Sequence, residues 1–166
     1  MQVNATAANG VGVDPAKLSA YAQSLRASIE SVPEVEWIFQ LNDETRPLWN
    51  LISAEDVPAN MSVLFDASCG KGIVASTYQP PLTNPDVMCG YAGGLGPDNV
   101  GAAMEALIDV AEGKPIWIDM ESSLRVAVSD KTVLDKDVFS VDKCFACIKV
   151  GVLFGLPVSR FSVVEI

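Results

Sequence analysis

The stretch CGYAGGLGPDN, residues 89–99, carries the turn on which the fold depends. An apolar run, 87–92, ends in Gly93-Gly94, passes Leu95 and Gly96, and meets Pro97-Asp98-Asn99 before a helical pattern over 100–111. The order is strand, tight glycine turn, helix start. Paired glycines let the backbone approach a ligand with no Cβ in the way, and proline suits a first helical position, where no amide hydrogen is needed. The unsatisfied amides and positive dipole end of such a helix form a seat for a phosphate. A glycine turn that merely joins strand to helix has the same pattern, so spacing leaves both readings open.

Outward from this turn the chain alternates. Residues 1–6 (MQVNAT) read as a strand and 7–13 as a small-residue loop. Asp14 then caps a helix with Pro15 in its first turn and an apolar stripe of Leu18, Tyr21, Ala22, Leu25 and Ile29. The run 35–41 (VEWIFQL) is rich in aromatic and branched residues and reads as a strand. A short helix follows with Leu48, Trp49, Leu51 and Ile52, and after a turn at 55–60 the run 62–66 (SVLFD) is another strand. A long loop over 67–86 leads to the glycine stretch, whose helix turns Ala103, Leu107 and Val110 inward. Residues 115–120 (PIWIDM) form a fifth strand, 121–138 a loop and 141–149 a last helix. Near-continuously apolar strands separated by helices imply a parallel sheet, order 1-2-3-4-5, with helices packed outside it. Asn4, Asn42, Asp66, the Gly93-Gly94 pair and Asp119 gather at strand ends, the functional side of such sheets. Trp37, Trp49 and Trp117 are expected in core or helix–sheet packing, with none assigned to a ligand.

Composition sets the class. The 166 residues, 49% hydrophobic and 19% charged, suffice for one globular domain with a real core. A net charge of −10 disfavours nucleic acid or an anionic membrane surface as the main partner. A small anion can still be held by local amides. No uninterrupted apolar stretch of about 18 residues occurs and no basic-then-apolar leader opens the chain, so a soluble, cytoplasmic protein is expected.

The four cysteines, Cys69, Cys89, Cys144 and Cys147, make no disulfide framework in a chain this long and are expected as thiols. Cys144 and Cys147 form a CxxC, yet no second one accompanies it, and helical spacing places both on one face beside Phe145 and Ile148, where core thiols are expected. The chain contains no histidine, which excludes a histidine-based triad and histidine metal ligation. No metal and no cofactor are expected. Cys69 lies close to Lys71 in a glycine-containing loop, where a nearby cation favours thiolate. An ordinary loop thiol and a solvated lysine are the alternatives.

Three motifs, LFDASCGKG, YAGGLGPDNV and IWIDMESSLR, resemble the last three strands and loops of phosphoribosylanthranilate isomerase, a tryptophan-biosynthesis (β/α)8 TIM barrel. They resemble the isomerase-like proteins grouped with it more closely still. The motifs come in the family's order, and the resemblance spans roughly residues 1–148, with QVNAT as the fourth strand and WIFQLN as the fifth. It implies a partial (β/α)8 barrel over 1–149, with 150–166 as an apolar tail outside the family's pattern. A full barrel has eight units and about 250 residues. Five units beginning inside a strand imply a fragment with two open sheet edges, through which a homo-oligomer can pair.

The resemblance also assigns roles. Asp66 matches the general acid, which in this position can equally cap the following turn. Gly93 and Gly94 match the phosphate turn of the seventh strand, Ser122 and Ser123 fall in the eighth-strand loop that completes the phosphate site, and Asp119 matches the aspartate ending that strand. A phosphorylated small molecule is the implied ligand. Glu121 departs from the family's serine-serine-glycine and would repel an anion. The general-base cysteine and the anthranilate-contacting arginine belong to strands with no counterpart here. An isomerase with its base supplied elsewhere and a non-catalytic phosphate-binding or assembly module are the two functions implied.

Overall fold

The computed structural model describes residues 1–66, 77–128 and 137–154. Five strands, β1 (Gln2–Val3), β2 (Trp37–Leu41), β3 (Met61–Phe65), β4 (Cys89–Tyr91) and β5 (Ile116–Ile118), form one sheet in the order 1-2-3-4-5. Every neighbouring pair is parallel. Among the described residues the helices are α1 (Leu18–Ser31), α2 (Arg46–Ile52), α3 (Val100–Ala111) and α4 (Val141–Leu153). The protein is thus α/β, with a five-stranded parallel sheet. No helix among the described residues is long and apolar enough to cross a membrane.

The core lies on one face of the sheet, where the inward sides of α1, α2 and α3 meet alternate strand residues. Phe39, Val63, Cys89 and Tyr91 point there, together with Ile29, Trp49, Ile52 and Leu107. The registers Phe39↔Val63 and Val63↔Cys89 make this one continuous row across three strands. Phe39 meets Trp49 of α2 with ring centroids 5.6 Å apart, and Phe65 stacks on Tyr91 at 5.2 Å. Asn60 ties α1 to the strand layer, because its amide donates to the carbonyls of Ile29, Val32 and Val35 at 3.0–3.1 Å. Those carbonyls surround the end of α1, where those of Ile29 and Val32 also accept from the Val32 and Val35 amides.

Several boundaries differ from the pattern-based expectation. The first strand pairs only over Gln2–Val3, because Ala7–Asn9 already turns as a 3-10 helix. Pro15–Lys17 is likewise a 3-10 turn, with Asp14 accepting from the Ala16 amide at 3.0 Å, and α1 proper begins at Leu18. Residues 121–138 are not simply a loop: Ser122–Leu124 forms a 3-10 turn, and β6 (Arg125–Ala127) pairs antiparallel with β7 (Asp137–Phe139). Arg125 makes this small sheet cohere, with an ion pair to Asp137 and its guanidinium 4.6 Å above the Phe139 ring. Ser140 then caps α4 by accepting from the Lys143 amide, and the helix runs past Lys149 to Leu153. A second apolar cluster of Val100, Met104, Leu124 and Cys147 joins α4 to α3.

Candidate functional site

Strand alternation fixes which side chains face away from the helices. Since Phe39, Val63 and Tyr91 face the core, Gln40, Asn42, Ser62, Asp66, Trp117 and Asp119 belong to the opposite face. The ladder continues past the strand ends: the Asp66 amide donates to the Leu41 carbonyl at 3.2 Å and the Asp119 amide to the Tyr91 carbonyl at 2.9 Å. Both carboxylates are therefore set by backbone at the carboxyl end of the sheet. Gln40 Nε2 donates to Asp66 Oδ2 at 2.5 Å. Gln40, Asn42, Ser62 and Asp66 are all buried, yet Gln40 Oε1, Asn42 Nδ2 and Ser62 Oγ, with Asn4 Oδ1 from the first strand, have no hydrogen-bond partner among the described residues. Buried polar atoms ordinarily find partners, and those of Gln40 and Asn42, toward the carboxyl end of the sheet, are open to a ligand, whereas Ser62 lies near its amino end.

Asp119 holds its proton to higher pH than an ordinary aspartate. Burial is the main cause, and the nearby Glu121 and Asp66 charges add to it. Between the unfolded and folded pKa values the folded state then binds more protons than the unfolded one, so this group's contribution to stability falls as pH rises through that window. Asp119→Asn is expected to abolish the decline, leaving a flatter melting temperature from acidic to neutral pH. An unchanged pH profile in this variant would contradict the assignment.

The glycine turn forms the neighbouring half of the site. Gly93 and Gly94 adopt φ of 115° and 61°, a region that side chains with a Cβ strain to enter. The turn is tied to itself and to the next loop: Asn99 Nδ2 donates to the Gly94 carbonyl at 3.0 Å, Ser123 Oγ donates to the same carbonyl at 3.1 Å, and the Gly96 amide donates to Asn99 Oδ1 at 2.9 Å. A cavity of about 220 Å³ opens beside it, lined by Gly94, Gly96, Pro97, Asp98, Asn99, Ser123 and Lys143. Lys143 Nζ donates to the Ser123 and Arg125 carbonyls at 3.0 and 2.8 Å, which holds its charge at the rim. With three donors on an ammonium, one remains for a ligand.

The structure thus brings Gly94 and Ser123 together in one cavity. Gly93 is buried beside it, Ser122 is exposed, and neither lines it. Pro97 precedes the helix by three positions instead of opening it, since α3 starts at Val100. Glu121 is exposed and outside the lining, its charge acting on Asp119, while Asp98 is the carboxylate in the cavity wall. Cys69 and Lys71 lie outside the described residues. Cys144 is half-buried and Cys147 buried, both as free thiols. No group of metal-ligating side chains occurs among the described residues. Trp37 and Trp49 pack with the core, but Trp117 lies on the opposite face, its indole against Gly90.

Lys143 and Gln40 were not among the sequence candidates. Lys143 enters from a helix 44 positions after Asn99, which no local motif could reveal, whereas the alternation in WIFQL does place Gln40 opposite Phe39. A larger cavity of about 530 Å³ lies between residues 10–13 and α1, lined by Val11, Val13, Tyr21 and Leu25 among others. It carries no carboxylate or cation in its lining. Comparison of the chain with family models, curated proteins and solved structures finds no match.

Proposed function

We propose that the chain is a phosphoribosylanthranilate isomerase-like βα-barrel unit, of the tryptophan-biosynthesis barrel group, that holds a phosphorylated small molecule across the carboxyl ends of its strands. The observation that carries this reading is the grouping, toward the carboxyl end of the sheet, of the Gly94–Ser123–Lys143 cavity with Asp66, Asp119 and the polar atoms of Gln40 and Asn42 that have no partner among the described residues. The cavity takes the phosphate. Lys143 offers charge, the turn offers backbone at close range, and the start of α3 adds its dipole. The body of the ligand lies against Gln40, Asn42 and Asn4, where it completes their hydrogen bonds.

Asp119 is suited to donate a proton, because burial keeps it protonated to higher pH than an ordinary aspartate. Asp66, fixed by Gln40, orients the substrate beside it. Isomerisation of the Amadori type needs a base as well as an acid. Histidine is absent from the chain, and Cys89 faces the core. Binding without turnover is therefore expected of this polypeptide. The second reading, a non-catalytic assembly module with a structural glycine turn, is favoured by one feature: the Ser123 hydroxyl and the Asn99 amide are already engaged by the Gly94 carbonyl.

With Asp98 in the wall and a net charge of −10, phosphate affinity is expected near the millimolar range, about −4 kcal/mol. An NMR titration with inorganic phosphate should move the amides of Gly94 and Gly96, and Lys143→Met should weaken binding about tenfold. Shifts elsewhere, or none, would remove the phosphate site. Measurable isomerase turnover that Asp119→Asn abolishes would instead promote the chain from binder to enzyme.

A further inference from the structure

The outer face of α4 bears an apolar seam that nothing else in the described structure covers. Val141 is 66% exposed, Phe145 56%, Val152 45%, and Ile148 between them is partly exposed. They follow one another at steps of four, three and four residues, the spacing that keeps a helical seam against a second helix. The opposite face is already used: Cys147 packs with Val100 and Met104, and Val150 lies over Gly101 at 3.7 Å from where a Cβ would stand. The seam thus looks outward. Apolar side chains so exposed and so ordered mark an interaction surface.

Charges beside the seam choose the partner. Asp142 and Lys149 lie one heptad apart on the same flank, are exposed, and have no ion pair among the described residues. If a second α4 runs antiparallel, Val141 faces Val152 of the second copy and Phe145 faces Ile148. The same alignment sets Asp142 against Lys149 twice, once on each side of the two-fold axis. A parallel alignment instead places that flank against the side bearing Cys144 and Gly151, which offers no charge. The surface is therefore self-complementary, as a two-fold interface requires.

We infer that α4 is a homodimer contact, an antiparallel helix pair formed by two copies of this chain. A helix of 13 residues is about 20 Å long, so the contact falls in the small, transient class, with a dissociation constant on the order of 10–100 µM. This interface uses no residue of the phosphate cavity except through the helix that also carries Lys143, on a different face.

Sedimentation velocity on the full chain across a concentration series tests it. The wild type should pass from monomer to dimer, and Phe145→Asp should remain monomeric throughout. Asp142→Lys and Lys149→Asp should each weaken the dimer about tenfold or more by setting like charges opposite, and the double variant should restore it. All three positions are exposed, so unchanged circular dichroism and melting temperature verify the fold of each variant. A monomeric wild type at millimolar concentration would overturn the inference. So would a dimer that survives Phe145→Asp, which would point to the open sheet edges, or a double swap that fails to recover association.

Discussion

Phe39→Ala is expected to remove about 3–5 kcal/mol of folding stability, a large part of the 5–15 kcal/mol typical of a whole domain. The ring is fully buried at the middle of β2 and touches Trp49 of α2. Its strand is hydrogen-bonded on both sides, in register with Val3 of β1 and Val63 of β3. Neither neighbour can move inward without breaking its ladder, so the space left by the ring stays largely empty and the cavity cost adds to the lost transfer energy. Equilibrium urea denaturation should show the midpoint falling while the slope, which reports exposed surface, stays constant. Phe145→Ala, a truncation of the same side chain at a position 56% exposed, should cost the monomer well under about 1 kcal/mol. Equal losses at the two positions would mean that the helix–sheet layer is not the stabilising core.

The strands that the sequence reveals most clearly are those with branched and aromatic side chains on both faces, WIFQL and MSVLF. MSVLF is buried throughout and WIFQL over its last three residues, so continuity of apolar character identifies them without needing alternation. The same continuity hides which face is which. Trp117 in IWI was expected in core or helix–sheet packing like the other tryptophans, and only its register with Gly90 reveals that it lies on the far side. The β6–β7 pair was illegible for a different reason. Its strands have three residues each, and the connection between them spans 128–136 with no glycine or proline in it, so the short-turn chemistry that announces a hairpin is missing. What holds it together is a side-chain contact, Arg125 with Asp137 and Phe139.

The candidate site divides the same way. Strand-end residues such as Asp66 and Asp119 were visible because a parallel sheet presents its loops at one end. The glycine turn was visible because of its backbone demands. Ser123 was named for its loop, but its structural partner, the Gly94 carbonyl, comes from the preceding strand's turn. Lys143 was invisible because its role depends on α4 returning to the sheet beside β6, where the carbonyls of Ser123 and Arg125 receive its ammonium. Long-range convergence of this kind leaves no periodic or local trace.

Gly90→Val is expected to destabilise the protein by about 3 kcal/mol, at the upper end for overpacking, and the cause is steric. A Cβ at this position would lie 2.2–2.6 Å from three atoms of the Trp117 indole, well inside contact distance. Gly90 has no positive φ, so backbone strain contributes nothing and the collision is the whole effect. The backbone cannot retreat, because Gly90 is paired with Leu64 on one side and Trp117 on the other. The indole must therefore rotate away from the sheet, giving up its contact with the strand and uncovering the face that carries Asp119. Trp117→Ala on its own should cost less, since the ring is only half-buried. In the double variant the valine then fills space the indole has vacated, so the two losses should fall short of additivity by about 1–3 kcal/mol. Guanidinium unfolding of the four proteins measures that coupling directly. Strict additivity would mean that the glycine is not there to seat the tryptophan.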